Sequence, residues 1–335
     1  MRILLIGDPH FKINNAYESD QFISEIYKLI LPKEESSFRN EKIIKEVKYD
    51  KIIILGDILD THEKIHMRPF CRATEFIINL STISPTYVLI GNHDRINNSV
   101  YLTDEHPFNG LKNKKNIFII DKVVEDGGFL FVPYVPTGRF DEALKTIKFK
   151  KNNYKAIFAH QEFQGSIFQD QGDIPPKDIA IYSGHIHNYR KMGNVTYVGT
   201  PFQHSFYDNP DKFVMELNIT DDLSHPIEEK KISLNIIKKR IEEINISKLA
   251  DYKVNENYIT KLIIKGDRKL LKAKENKILN HPKITYKLSY LLDRKDEKEV
   301  KVIKNLKFED MLKERLDKEN KIINILYERI KKKII

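Results

Sequence analysis

The stretch "KIIILGDILD", residues 51–60, places four aliphatic residues in a row, Ile52 to Leu55, and then breaks into Gly56 and Asp57. A run this short and this apolar, rich in β-branched side chains and bounded by a glycine, reads as a buried strand that opens into a loop. The same design recurs in "RILLIGD" (2–8), "TYVLIGN" (86–92), "YKAIFAH" (154–160) and "DIAIYSGH" (178–185). Each ends in a small or polar residue. Helical patterns fill the gaps near 20–31, 40–48 and 66–80, and strands that alternate with helices imply a layered α/β domain. Further on, "FLFVPY" (129–134), "NVTYVG" (194–199) and "KFVMEL" (212–217) have fewer helices between them, so a second sheet is expected.

The chain has 335 residues, enough for one large domain or two to three smaller ones. Its 41% hydrophobic and 10% aromatic content suits a globular core. No run reaches the roughly 18 apolar residues of a membrane helix, and the first strand is too short for a secretory leader. No membrane contact is expected, and an intracellular enzyme of the cytoplasm is the natural class. The single cysteine, Cys71, excludes an intrachain disulfide and a cysteine-based zinc cage. It falls in a helical pattern and is expected to pack.

The net charge of +9 is unevenly placed: residues 219–335 hold 30 Lys and Arg against 20 Asp and Glu, while residues 1–218 are near balance. A basic C-terminal third suggests a polyanionic partner, nucleic acid first, or else simply helices solvated by lysine. The texture changes there too. "YITKLIIK" (258–265) and "ITYKLSYLL" (284–292) alternate like strands around a helical "DRKLLKAKENKIL" (267–279). The expected organisation is a domain over 1–218, a small β-α-β cap over 219–300 whose basic character suits nucleic acid, and a helical segment over 301–335. In that last segment Phe308, Leu312, Leu316, Ile323, Leu326, Ile330 and Ile334 recur at helical spacing. Such a stripe buries itself either in the chain's own core or against a partner helix.

Chemistry gathers at the strand ends. "GDPH" supplies Asp8 and His10, "GDILD" supplies Asp57 and Asp60, and "GNHDR" supplies Asn92, His93 and Asp94. "FAHQEFQG" supplies His160, and "YSGHIHNYRK" (182–191) supplies His185 and His187, which share a face if the chain there is extended. In α/β folds the carboxyl ends of the strands are where ligands bind. Any one of these residues alone is ordinary: an Asp after a strand caps a helix, and a lone His is structural. Jointly they deliver oxygen and imidazole donors suited to manganese, iron or zinc, in a number that exceeds one tetrahedral site. Two ions about 3.5–4 Å apart, sharing one carboxylate, account for all seven of Asp8, His10, Asp57, Asn92, His160, His185 and His187. The two histidines of the H-x-H pair would then serve different ions.

The five blocks D-x-H, G-D-x-x-D, G-N-H-D, a later H and G-H-x-H stand in order over 8–187, and in this the sequence resembles the calcineurin-like metallophosphoesterases. "YVGTPFQHSFYD" (197–208) further resembles a stretch of the SbcD-type DNA-repair nucleases, the bacterial and phage counterparts of the meiotic recombination 11 nuclease. The likeness is close over roughly 1–218, architectural over 250–295, and weak over 305–335. It implies an α-β-β-α sandwich and a two-metal DNA exo- or endonuclease using manganese, with magnesium, iron or zinc as alternatives.

By the same resemblance Asp8, His10, Asp57 and His187 hold one ion, and Asp57, Asn92, His160 and His185 hold the other, with Asp57 bridging. His93, beside a ligand yet surplus to the metal count, is the candidate acid for the leaving oxygen, with Asp94 orienting its ring. Asp60 stands where archaeal and eukaryotic members often carry His, and a carboxylate there suits orienting a ligand or a water. Lys12 and Arg95, just beyond metal motifs, are candidates for DNA phosphate contacts or plain surface residues. The implied partners are DNA and an SbcC-type coiled-coil ATPase, in a heterotetramer built on a homodimer. The competing readings are a phosphodiesterase or phosphatase for a smaller ester, and a catalytically silent repair scaffold.

Overall fold

The computed structural model describes residues 1–31, 49–167, 170–220, 226–267, 269–271 and 281–290. Two compact units divide it: Met1–Arg240 with Asn255–Thr260, and Ile241–Val254 with the described residues from Lys261 onward. The expected boundary after residue 218 falls short of this division. Residues beyond 218 include a strand, Glu228–Ile232, that completes a sheet of the first unit.

The first unit is built on two six-stranded sheets. In the first, β1 (Arg2–Ile6), β2 (Lys51–Ile54), β3 (Thr86–Leu89) and β4 (Ile117–Ile120) run parallel, β11 (Val214–Asn218) pairs antiparallel with β1, and β12 (Glu228–Ile232) pairs antiparallel with β11 at the edge. In the second, β6 (Phe129–Val132), β7 (Ala156–Ala159), β8 (Ala180–Ser183) and β10 (Val195–Tyr197) are parallel. It is flanked by antiparallel β5 (Val124–Asp126) and β9 (Arg190–Met192).

Period-two alternation decides which side chain faces which layer. In the first sheet Ile3, Leu5, Ile53, Leu55, Tyr87 and Leu89 point toward the second sheet. There they meet Phe129, Phe131, Phe158 and Tyr182 in one buried cluster. Their neighbours Leu4, Ile6, Ile52, Ile54 and Val88 point the other way, onto α1 (Ala16–Ile30) and α2 (Met67–Ser81). Those helices offer faces at matching spacing: Phe22, Ile26 and Ile30 on α1, and Ala73, Phe76, Ile77 and Leu80 on α2. On the far side of the second sheet, Leu130, Val132, Ile157 and Ile181 pack against Phe140, Ala143 and Leu144 of α3 (Phe140–Lys145). The order is helix, sheet, sheet, helix: the expected sandwich.

The second unit has its own small core of Ile246, Leu249, Leu262, Ile264, Leu271 and Ile284. It centres on a three-stranded sheet in the order β13 (Lys238–Asn245), β14 (Tyr258–Gly266), β15 (Ile284–Tyr290). β13 joins the two strands expected there; the helix expected at 267–279 lies mostly outside the described residues, as do 40–48 and the stripe at 301–335. Cys71 sits on α2 as expected, but it is exposed and does not pack. No helix among the described residues is long and apolar enough to cross a membrane.

Phe158 sits in the central layer, with ring centroids of Phe129, Phe131 and Tyr182 at 5.5, 5.4 and 5.9 Å. Removing its ring leaves a cavity between two sheets that cannot close independently. Phe158→Ala is therefore expected to lower unfolding free energy by about 3–5 kcal/mol. The check is chemical denaturation; a loss below about 1 kcal/mol would show that the two sheets do not share a tight core there.

Candidate metal centre

Every expected ligand stands just past the C-terminal end of a strand, three ends from the first sheet and two from the second. Asp8 and His10 follow β1, Asp57 follows β2, Asn92 follows β3, His160 follows β7, and His185 and His187 follow β8. All belong to the first unit, and the sandwich core brings the two sets of ends together.

The polypeptide turns sharply to present them. His10, Asp57 and His185 hold φ values of 41°, 46° and 79°, in the left-handed region that non-glycine residues avoid. Such strain persists only where surrounding structure enforces it, and it clusters at functional sites. At His185 it also corrects the sequence expectation. The H-x-H pair is not extended, so its imidazoles converge through a kinked loop and not through strand alternation. Gly184 permits the approach, since a Cβ there would collide with Asp8 Oδ1 and the Leu55 carbonyl.

The donors form two groups joined by one carboxylate. Asp57 Oδ1 lies 3.3 Å from His160 Nε2. Asn92 Oδ1 lies 3.0 Å from the same nitrogen and 2.9 Å from His185 Nδ1. On the other side Asp57 Oδ2 lies 3.6 Å from His10 Nε2, which is itself 3.1 Å from His187 Nε2. Asp8 is fully buried, its Oδ1 3.5 Å from His160 Nδ1, and neither of its oxygens has a hydrogen-bond partner among the described residues.

These spacings fit cations. Donors about 2.1 Å from one ion stand roughly 3 Å apart at right angles. Here lone-pair atoms crowd at that separation, and the buried carboxylate of Asp8 makes no hydrogen bond of good geometry with the described residues. Further contacts orient the imidazoles. The Nδ1 of His160 lies 2.7 Å from the Leu55 carbonyl, which turns Nε2 toward Asp57 and Asn92. Asp60 Oδ1 lies 3.4 Å from His10 Nδ1 and 3.2 Å from Lys12 Nζ.

Two expected roles change. Asp94 does not orient the ring of His93. Its carboxylate accepts backbone N–H bonds from Ile58, Leu59 and Gly91 at 3.2, 2.9 and 3.0 Å, tying two of the loops together. The His93 ring is instead held by the Asp60 carbonyl, 2.8 Å from Nδ1, and by stacking on His62 at 4.6 Å, while its backbone N–H donates to Asp57 Oδ1 at 2.9 Å. Arg95 is not a surface residue poised for phosphate. It is buried, with its Nη1 and Nη2 donating to the carbonyls of Tyr134 and Val100. Lys12 remains partly exposed at the rim beside Asp60.

The structure also adds residues the sequence reading passed over. His204, within "GTPFQHSFYD", packs its ring 5.1 Å from that of His10 and 5.9 Å from that of His187, with Nε2 3.2 Å from the Asp8 carbonyl. Burial, Lys12 and His187 keep it neutral. Glu162, two residues after His160, reaches to 4.0 Å from His185 Nε2. Nothing in the spacing of either singled it out.

Burial pushes the Asp8 carboxyl up to about 8, the charge of Asp57 adding to the effect. For His160, burial alone would favour the neutral ring, but the charge and hydrogen bond of Asp57, with Asp8, raise it to about 9. Burial sends His10 and His187 down, and His185 down to about 4. At neutral pH the protein by itself thus keeps protons on Asp8 and His160 that a cation must displace, while the other imidazoles are already free. Deprotonation is needed for binding, and raised values delay it, so affinity must climb with pH. We expect manganese to bind at least about tenfold more tightly at pH 8 than at pH 6, by titration calorimetry, with protons released. An affinity flat across that interval would contradict the assignment.

Comparison with known proteins agrees with this centre. Residues 1–209 match the family model for calcineurin-like phosphoesterases. A protein of Invertebrate iridescent virus 6 named "Putative phosphoesterase 244L" is 38% identical over 296 residues, covering 83% of this chain and 99% of that relative. "Putative phosphoesterase 078R" of Invertebrate iridescent virus 3 is 35% identical over 280 residues, 79% of this chain and 76% of the relative. The family uses divalent metals, and Asp57, His160 and His185 form a cluster able to hold one. The chain belongs to the calcineurin-like phosphoesterase family.

Proposed function

We propose that this phosphoesterase is a manganese-dependent nuclease that hydrolyses phosphodiester bonds in DNA. In this reading Asp8, His10, Asp57 and His187 hold one divalent ion, and Asp57, Asn92, His160 and His185 hold a second. Ions so held supply Lewis-acid activation of the phosphoryl group and acidify water. The remaining work belongs to the chain. Asp57 spans the two groups of donors, and the N–H of His93 fixes one of its oxygens. Asp60 and Lys12 steady His10 from the rim.

His93 carries the reading. It stands 5.0 Å, ring to ring, from His10, yet its Nδ1 is committed to the Asp60 carbonyl and its ring to His62. With Nδ1–H spent on that carbonyl, a ring so clamped passes a proton from Nε2 to a leaving oxygen in its doubly protonated form. A diester with a poor leaving group needs such a proton, and DNA is one. The basic excess beyond residue 218 supports a polyanionic substrate. An SbcC-type ATPase is the partner this reading names for the apolar stripe of 301–335.

The names of the relatives specify phosphoester chemistry and no substrate, which leaves a smaller ester as the second reading. Hydrolysis of linear duplex DNA, compared with bis-p-nitrophenyl phosphate, separates the two. We expect both to be cut, and His93→Ala to lose about 10²–10⁴-fold on DNA while retaining its metal. On the nitrophenyl ester, whose leaving group needs no proton, the loss should be much smaller. Intact DNA alongside brisk ester hydrolysis would overturn the nuclease reading, and equal losses on both substrates would overturn the acid role.

A further inference from the structure

The segment from Thr200 to Lys212 braces one half of the centre and leaves the other alone. Thr200 donates twice to the His187 carbonyl, from its N–H at 3.0 Å and its Oγ1 at 3.3 Å, and Lys212 Nζ reaches the same oxygen at 2.7 Å. His204 stands between them in the chain. Its Nε2 lies 3.2 Å from the Asp8 carbonyl, and its ring packs against those of His10 and His187. Among the described residues, no hydrogen bond of this segment goes to Asn92, His160 or His185. Those two imidazoles are steadied from elsewhere: His160 by the Leu55 carbonyl, and His185 by the ring of Tyr134, stacked at 6.0 Å.

A second buried side chain fixes what His204 does. The Oδ1 of Asn15 accepts from the Lys12 N–H and from Ser19 Oγ, both at 3.0 Å, and the Lys12 N–H can only donate, which sets the amide's orientation. Asn15 Nδ2 then donates to the His10 carbonyl at 2.9 Å and to His204 Nδ1 at 3.3 Å. With Nδ1 accepting, Nε2 carries the proton and donates to Asp8. Both nitrogens are spent, so His204 is neither an ion's ligand nor a proton donor to substrate. Through Asn15 it links the carbonyls of Asp8 and His10, on either side of Pro9, and pins the turn in which His10 takes its left-handed backbone.

The segment is itself anchored. Asp208 accepts from the N–H groups of His204 and Ser205 at 2.8 and 3.1 Å. Lys239 Nζ, in a buried pair with Glu18 at 2.8 Å, donates to the carbonyls of Gln203 and His204 at 3.1 and 3.3 Å. The imidazole is therefore held in place before any ion arrives. Groups that orient ligands in this way are worth a measurable part of metal affinity.

We propose that His204, with Thr200 and Lys212, positions the ligands of one ion alone, the ion assigned to Asp8, His10, Asp57 and His187, and so makes the two metal sites unequal. The proposal rests on the division of ligands given above, but not on DNA being the substrate. Manganese is titrated into the metal-free full chain by calorimetry, and thermal unfolding checks that each variant is folded. The wild type should bind two ions. His204→Leu, which keeps bulk and loses the N–H, should weaken one of them about 10–100-fold and leave the other unchanged. His204→Gln, whose amide can donate to the Asp8 carbonyl, should recover most of that loss, which a ring that merely fills space would not explain. In a His187→Ala background, where that ion is already lost, His204→Leu should leave the remaining one untouched. Both ions weakened alike, neither weakened, or glutamine no better than leucine would overturn the proposal. If His204→Leu does not fold, Lys212→Met probes the same ion from the far end of the segment, and wild-type binding of both ions there would overturn it. A single ion in the wild type would overturn the two-ion reading and this proposal together; two ions with unchanged variants would overturn this proposal alone.

Discussion

The carboxylate of Asp57 is the point on which the site turns. It is buried at the end of a central strand, in a left-handed backbone conformation, with one oxygen toward His160 and the other toward His10. Burial alone would favour its neutral form, yet the surrounding imidazoles hold it ionised well below the usual carboxylate range. A buried anion is expensive unless it is paired. Here the pairing comes from His160 after β7 in one sheet and His10 after β1 in the other. The site therefore exists only while the two sheets keep their relative position, which makes the phenylalanine-rich layer between them part of the functional apparatus.

Much of this was legible because burial and chemistry both leave marks in sequence. The central strands announce themselves through short aliphatic runs, since both of their faces are covered. β12, with the sequence Glu-Glu-Lys-Lys-Ile, leaves no such mark. It is an edge strand rich in charge, a common guard against stray pairing, so its composition does not mark it as part of a sheet. The ligand blocks stood out because carboxylate, amide and imidazole donors recur at strand ends.

Roles assigned by adjacency fared worse than those assigned by type. Asp94 follows His93 in the chain but points back to the loop after β2, and the carbonyl of Asp60, 33 positions away, holds the ring instead. Arg95 follows a metal motif and looked available to phosphate, yet its guanidinium is folded into the wall of a cavity. His204 and Glu162 reach the centre through tertiary packing that no local period encodes. Sequence shows what a residue could do; only the fold shows what it faces.

The central claim is that Asp57 serves both halves of the centre, and metal content tests it most directly. After equilibration with manganese and removal of free ion, elemental analysis should find roughly two ions per wild-type chain. Asp57→Asn should lose both together, while His187→Ala should lose mainly one. Full occupancy in Asp57→Asn, or loss of a single ion there, would contradict a shared carboxylate and separate the site into two independent halves.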